Sequence, residues 1–422
     1  MATEKLNVGL LGCGNVGRGL VELVARNREL IRQRSGVELH INKILVREMG
    51  KRRPGVDRDL LTTDPDKVID NGCDLVVELV GGVEPARSFI KQAIAGGKHV
   101  VTANKALLAL DGFTLMKAAE TQNVRLGFEA SVCGGIPIIR ALRNGLVGNS
   151  IESLNGILNG TCNYILTRME EARLDFESAL QEAQAKGFAE ADPTLDIDGH
   201  DAAQKLKILA ELAFQAQIAP DAVQTEGIRN ITADDIQAAR ELGYIVKHIA
   251  SAELRDGRLS LSVHPAMLPR THQLATIREE KNAVLVRGDA VGEMLFTGKG
   301  AGSMPSASAV LSDVVDIACH TGGFSSTLGE KLSAASVDYV AQHYLRFVVS
   351  DPSAIGPITA MLQRNGIGVT GAAALWAKTQ SGHHQVRVLT QRCSRTTVEQ
   401  ARQDIEELNV AKGDGTLLRV LE

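Results

Sequence analysis

Five carboxylates fall within twelve residues, Glu190, Asp192, Asp196, Asp198 and Asp201, and Lys205 follows one helical turn after the last. Charges of one sign packed so closely repel one another and call for a cation. A metal ion, a protein cation or a positively charged substrate would each answer that need. Calcium is the obvious metal, because Asp196-Ile197-Asp198-Gly199 fits positions 3 to 6 of a calcium-binding loop. It fails at both ends: position 1 becomes Thr194, and position 12, which needs a bidentate glutamate, becomes Lys205. A solvated acidic loop suits Pro193 and Gly199 but gives Lys205 no task. Asp201 and Lys205 stand four apart on a predicted helix and share a face. As a plain surface ion pair they would contribute under ~1 kcal/mol.

A second group with chemical meaning lies at the start of the chain. Gly12-Cys13-Gly14-Asn15-Val16-Gly17 follows the apolar run Asn7–Leu11 and precedes a helical pattern from Arg18 to about Arg34. In a strand–turn–helix setting the first glycine permits the tight turn. The second lets a pyrophosphate approach the backbone, and the third lets helix pack on strand. The phosphate then meets free N–H groups at the helix N-terminus. More βα alternation follows: strands at Leu75–Val80 and His99–Thr102, and a helix at Ala86–Ala95. This predicts a parallel sheet with helices on both faces. Gly81-Gly82 and Thr102-Ala103-Asn104-Lys105 then sit at strand C-termini, where open α/β sheets bind ligands. The second strand, His40–Val46, ends in Arg47 and Glu48, with Lys51, Arg52 and Arg53 beyond. An acid there holds the ribose hydroxyl of NAD, and cations favour the extra phosphate of NADP, so NADP is the preferred expectation and NAD the alternative.

The chain has 422 residues, enough for two or three domains, with 44% apolar residues and a formal charge of −4. That balance gives no electrostatic reason to bind nucleic acid or anionic lipid. No run of about 18 apolar residues is present, so no membrane span is expected. The start, MATEKLNVGLLG, lacks the regions of a signal peptide. The six cysteines form no C-x-x-C pair, which fits free thiols in a reducing cytoplasm.

Strands are expected at Ile151–Leu158, Arg258–His264 and Ala283–Arg287, and helices at Asp201–Gln217 and Ser306–Cys319. Six segments in fixed order then resemble homoserine dehydrogenase: GLLGCGNVG, VTANKALLA from Val101, FEASVCGGIPII from Phe128, GILNGTCNYIL from Gly156, GFAEADPTLDIDGHDAAQK from Gly187, and GKGAGSMPSASAV from Gly298. They span about residues 7–320. The resemblance implies reduction of L-aspartate 4-semialdehyde to L-homoserine with NAD(P)H. It implies Lys205 and Lys105 as the active-site lysines with Asp201 beside them, and Glu190, Asp196, Gly160 and Thr161 at the substrate. Gly12, Gly14, Asn15, Val16, Gly17, Arg47, Thr102, Lys105, Gly187 and Gly302 would meet the cofactor. Glu129, Val132, Gly134 and Ile136 would hold a monovalent cation such as Na+. The chemistry agrees: an amino-acid aldehyde needs acids for its ammonium, and hydride addition creates an alkoxide that needs a proton donor. Two positions depart from the family, Cys162 in place of threonine and Phe188 in place of tyrosine. Cys162 raises the alternative of a thiolate-dependent acylating semialdehyde dehydrogenase, with His200 as a base. A packing thiol is the preferred reading. A non-catalytic amino-acid or NADP sensor is the alternative from another class.

The tail reads as strand Tyr344–Val349, helix Gly356–Arg364, strands Ile367–Thr370 and Gln385–Thr390, helix Thr396–Leu408 and strand Thr416–Leu421. This βαββαβ order suggests a small split-βαβ sandwich and resembles an ACT domain, whose usual effector here would be L-threonine. In the ligand loop Asp351-Pro352-Ser353-Ala354-Ile355-Gly356, Ala354 replaces the glycine that normally admits the effector. An added Cβ would oppose positive φ or crowd a ligand. The expected fold class is therefore α/β: a Rossmann-type doubly wound domain over 1–133 with a return helix over 305–320, an α+β catalytic and dimerisation domain over 134–304, a connector over 321–342 and the ACT-like domain over 343–422. A homodimer or homotetramer is expected.

Overall fold

The computed structural model describes residues 4–70, 72–255, 257–319, 338–370, 375–378, 384–411 and 415–421. They form two compact units. The first draws on 1–154, 204–223 and 282–334, the second on 155–203, 224–281 and 335–422. Most of the expected connector lies outside the described residues.

In the first unit, β1 (Glu4–Leu11), β2 (Val37–Leu45), β3 (Leu61–Thr62), β4 (Leu75–Glu78), β5 (His99–Thr102) and β6 (Leu126–Gly127) make one parallel sheet. Their order is β3-β2-β1-β4-β5-β6, which reverses between β1 and β4. That reversal opens a crevice at the strand C-termini, and dinucleotides bind in such crevices. β4, Leu-Val-Val-Glu, is buried along its whole length, as a strand covered on both faces should be.

The single helix expected from Arg18 to about Arg34 is instead two, Asn15–Arg26 and Arg28–Ser35, interrupted at Asn27. The first buries Leu20 and Leu23, whereas the second buries no residue. The second half leans only the partly buried Ile31 on the core, and propensity alone does not hold its direction. The return helix runs Ser303–Cys319, starting earlier than expected because Pro305 is tolerated in a first turn that needs no N–H from it. Its Ala307, Val310 and Val314 join Leu10, Leu20 and Val77 in one buried cluster.

In the second unit, β7 (Tyr244–Arg255) and β8 (Arg258–Pro269) form a long antiparallel hairpin. The tail supplies β9 (His343–Val349), β10 (Leu375–Lys378), β11 (His384–Leu389) and β12 (Thr416–Val420), with helices Ile355–Arg364 and Arg395–Glu407 between them. The tail strands stand in the order β12-β9-β11-β10, all antiparallel, and β12 also pairs in parallel with β8 through Ala266–Arg419 and Met267–Val420. The tail sheet therefore continues into the β7–β8 hairpin. Its two faces have different partners. Leu345 and Phe347 pack with Ile358, Leu362, Val398 and Ile405 of the tail helices, while Tyr344 and Leu418 pack with Ile165, Ile228 and Ile236. Alternate residues of a strand point to opposite faces, so one strand serves both cores. Arg346, on the second face, donates from Nε to Asp235 Oδ1 at 2.7 Å, with both side chains buried.

One expected strand is wrong. Ile367–Thr370 forms only an isolated bridge, Val369 to Thr390, and the second tail strand is Leu375–Lys378. Gly368 brings the backbone against the turn after β11, where a Cβ would stand 2.5 Å from Gln391 Oε1. The segment keeps two backbone bonds to the end of β11 and its turn, Thr370 N to Leu389 O at 2.9 Å and Gln391 N to Gly368 O at 2.7 Å.

Candidate active site

The cofactor crevice is built from the glycine turn upward. Gly12 has φ +101°, and a Cβ on it would lie 2.7 Å from Leu79 O. A Cβ on Gly17 would lie 2.4 Å from Gly12 O, so only glycine lets the Asn15–Arg26 helix start this close to the strand. Gly14 differs: a Cβ there meets nothing within 4 Å. The space left open at Gly14, at the N-terminus of the helix, suits a phosphate. A cavity of about 590 Å³ opens there, walled by Gly12, Gly14, Arg47, Glu48, Lys51 and Arg53 among others. Three cations against one acid make that rim positive. Arg53 is folded back on its own loop, donating to Glu48 O at 3.0 Å and Lys51 O at 2.8 Å.

Of the other expected cofactor residues, Asn15 and Val16 open the helix, and Asn15 O accepts the Ser303 hydroxyl at 2.6 Å. Gly302, φ +124°, precedes that serine at the start of the return helix. Thr102, at the end of β5, is committed to the protein: its hydroxyl donates to Glu78 Oε2 at 2.6 Å and accepts the Asn104 amide at 3.0 Å. Asn104 donates to Gly82 O at 2.6 Å and caps the helix that begins at Lys105. Glu78, fully buried, also accepts the Val80 amide at 2.7 Å. This Glu78–Thr102–Asn104 network fixes the ends of β4 and β5 and sets the half-buried Lys105 at a helix start. Glu78 is absent from the sequence-derived site. A carboxylate ending an apolar strand was its only signal.

The acidic run belongs to the second unit, and its centre is a residue sequence reasoning missed. Asn159 Nδ2 donates to Asp196 Oδ1 at 2.7 Å and to Asp201 Oδ2 at 2.9 Å. Asn159 Oδ1 accepts the Cys162 amide at 2.8 Å and so caps the Gly160–Glu171 helix. That cap fixes the amide orientation, because a reversed group would point N–H at N–H. One buried side chain thereby gathers two acids thirty-seven and forty-two positions away. Asparagine immediately before a helical run was the available signal.

Around this pair the expected residues sort themselves. Thr161 Oγ1 lies 2.7 Å from Phe188 O and 3.3 Å from Asp196 Oδ2. Gly160 is the first residue of the capped helix. Asp201 and Lys205 are buried, at 7% and 9% exposure, on the helix His200–Ala213, so the surface-pair reading does not apply. Glu190 is exposed, and its backbone oxygen accepts from Gln184. Asp192 and Asp198, without a task in the sequence, have structural ones. Asp192 Oδ1 accepts the Thr194 amide at 3.1 Å, and Asp198 pairs with Arg229. Gly187, φ +74°, closes the helix Phe176–Ala185. Cys162 is fully buried, and its thiol donates to Asp196 O at 3.1 Å. Phe188 packs against the Tyr164 ring with centroids 4.9 Å apart.

The expected cation loop is in the first unit. Glu129, Val132, Gly134 and Ile136 are all buried. The Glu129 carboxylate accepts the Ile139 and Arg140 amides, each at 2.8 Å, and burial raises its pKa. Asp313 Oδ2 accepts the Glu129 amide at 2.7 Å, and burial pushes this carboxyl up to about 7. Ile136 O accepts the Ile138 amide at 2.8 Å.

In the tail loop Ala354 has φ −59° and sits buried in the tail core, so its Cβ costs no backbone strain and fills the room a glycine would leave. Asp351 Oδ1 accepts the Ser353 amide at 2.8 Å.

The doubly wound sheet with its glycine turn in one unit and the paired acids in the other define a nicotinamide-dependent oxidoreductase. Residues 12–129 match the family model of the homoserine dehydrogenase NAD-binding domain, and residues 137–315 match that of homoserine dehydrogenase itself. The chain is 38% identical to homoserine dehydrogenase of Bacillus subtilis over 426 residues, covering 99% of this chain and 98% of that one. The crystal structure of a homoserine dehydrogenase from Thiobacillus denitrificans superposes with a TM-score of 0.92 at 39% identity, covering 99% of both chains. A hyperthermophilic archaeal homoserine dehydrogenase in complex with NADPH covers 74% of this chain with a TM-score of 0.64 at 28% identity. The chain belongs to the homoserine dehydrogenase family, and its reaction is the NAD(P)-dependent interconversion of L-aspartate 4-semialdehyde and L-homoserine. No described helix is long and apolar enough to cross a membrane.

Proposed function

We propose that Lys205 exchanges the proton at the substrate oxygen, that Lys105 assists at the cofactor side, and that Asp196 and Glu190 receive the substrate ammonium. The observation that carries this reading is the Asn159 bridge, which holds Asp196 and Asp201 together at the head of the helix that bears Lys205. Asp201 stands one turn before Lys205 on the same helix, so the two share a face. The bound nicotinamide supplies or accepts the hydride. Lys205 then neutralises the oxygen charge that develops in reduction and takes the proton back in oxidation. Glu190, exposed here, joins the substrate when it is present. The buried thiol donor role of Cys162 supports the packing reading over the acylating one.

The positive rim of Arg47, Lys51 and Arg53 supports NADP over NAD. For the cation, carbonyl oxygens of Val132, Gly134 and Ile136 are donors suited to a hard ion such as Na+. The Glu129 carboxylate, held by two amides, would contribute through its field and not as a ligand. The βαββαβ tail, with its β12-β9-β11-β10 order, supports an ACT-like module. The buried Ala354 makes L-threonine binding at the Asp351 loop the weaker half of that reading. Edge strand β10 offers a surface through which copies pair as a dimer or tetramer.

The test is Lys205→Ala, assayed by NADPH absorbance at 340 nm with homoserine or the semialdehyde. Expected is a loss in kcat of about a hundredfold or more with cofactor affinity unchanged. Near-normal kcat refutes the role of Lys205.

A further inference from the structure

The second unit contains another cavity, of about 260 Å³, that no step above uses. Glu226, His264, Asp338, Arg395 and Glu399 contribute to its wall. Three of these are acids and one is a guanidinium. Arg395 is largely spoken for: Nε donates to Glu399 Oε1 at 2.7 Å and one terminal nitrogen donates to Tyr339 OH at 3.2 Å. Its other terminal nitrogen stands 3.8 Å from Glu226 Oε2. Asp338 Oδ1 accepts the Thr396 amide at 3.0 Å. The wall is thus short of positive charge.

One buried acceptor in it also lacks a donor. His264 is 2% exposed, and its Nδ1 lies 3.0 Å from Pro265 O. A carbonyl oxygen only accepts, so Nδ1 carries the ring proton. Burial, with Arg419 nearby, depresses the ring pKa to about 3, so the imidazole is neutral. Nε2 is then a lone pair, and it has no hydrogen-bond partner among the described residues. A buried acceptor left this way is costly and asks for a donor. Burial also raises the Glu226 pKa, although Arg395 and Arg402 act against that shift. The acids and the imidazole do not gather closely enough to form a metal-binding group among the described residues. What remains is a cation that brings N–H bonds with it.

We propose that this cavity binds a small primary ammonium group, with Glu226 and Glu399 taking its charge and His264 Nε2 accepting one of its N–H bonds. The group belongs either to a free amine or to an α-amino acid, whose carboxylate would meet the outer edge of Arg395.

The experiment is calorimetric titration of the full-length protein with ethylammonium chloride, L-alanine and tetramethylammonium chloride at fixed ionic strength. Tetramethylammonium has the charge but no N–H. Expected is saturable binding of ethylammonium or alanine and none of tetramethylammonium. The stronger of the first two identifies the source. Glu226→Gln and the surface variant Glu399→Gln should each raise the Kd about tenfold, the effect of one charge-assisted bond. Binding at the Asp196–Asp201 acids would survive both variants, so it is told apart and counts against the proposal. No saturable binding, equal binding of tetramethylammonium, or a Kd unmoved in both variants overturns it. Retained turnover in Glu399→Gln shows that this variant is folded.

Discussion

Replacing Asn159 by aspartate separates the two tasks of that side chain. Aspartate caps a helix as well as asparagine does, so the bond to the Cys162 amide survives in Asn159→Asp. What disappears is the amide donor. Two bonds to carboxylates, at 2.7 and 2.9 Å, are lost together. Each charge-assisted bond contributes about 1.5–3 kcal/mol, so the loss is at least about 3 kcal/mol. That corresponds to a factor of about 10² in any equilibrium that needs the acid pair intact. A third carboxylate now faces the other two, and mutual repulsion raises the pKa of the new carboxyl. The sign follows. Its folded pKa lies above its unfolded value of about 4, so the variant is penalised least at low pH. The penalty grows as pH rises from about 4 through the raised folded pKa. Initial rates by NADPH absorbance and thermal melts, both from pH 5 to 9, read this directly. Expected is a kcat/KM lower by about two orders of magnitude at pH 8, and a gap in Tm to the parent protein that narrows toward pH 5. A kcat/KM within twofold of the parent with an unchanged pH profile refutes the bridge as an organiser of the site.

Two further perturbations test separate parts of the reasoning. Arg47→Ala combined with Arg53→Ala removes two of three rim cations, and the ratio of kcat/KM for NADPH over NADH should fall tenfold or more, about 1.4 kcal/mol; an unchanged ratio places the phosphate elsewhere. Asp313→Asn keeps an oxygen for the Glu129 amide but removes a carboxyl whose folded pKa, about 7, lies above its unfolded value. The parent therefore loses stability as pH rises from about 4 to 7, and the variant does not. Melts should show the variant more stable at pH 8, with the difference vanishing toward pH 4; parallel curves contradict a buried, protonated Asp313.

Local signals were legible wherever one physical requirement acts within a few residues. The glycine turn is such a case, because φ +101° at Gly12 and the approach of Gly17 to Gly12 O admit no side chain. The helix Ala86–Ala95 and strand β5 appear with the expected bounds. Ile367–Thr370 has strand-like residues yet makes one isolated bridge, because pairing depends on which backbone lies opposite and not on periodicity alone. Asn159 and Glu78 went unassigned for a related reason. A polar residue beside a motif has many possible partners, and its own is chosen by the packing of distant segments.

The sequence by itself determined that a dinucleotide turn leads the chain, that carboxylates cluster before a helix bearing Lys205, and that the tail alternates as βαββαβ. These follow from sterics and periodicity over short spans. Tertiary structure alone decided which acids form the pair. It gave Asp192 and Asp198 to the loop and Asp196 and Asp201 to Asn159, and it ran the tail sheet into the β7–β8 hairpin. Charge repulsion requires that buried acids find donors, but only the folded chain brings a particular donor within 3 Å of them.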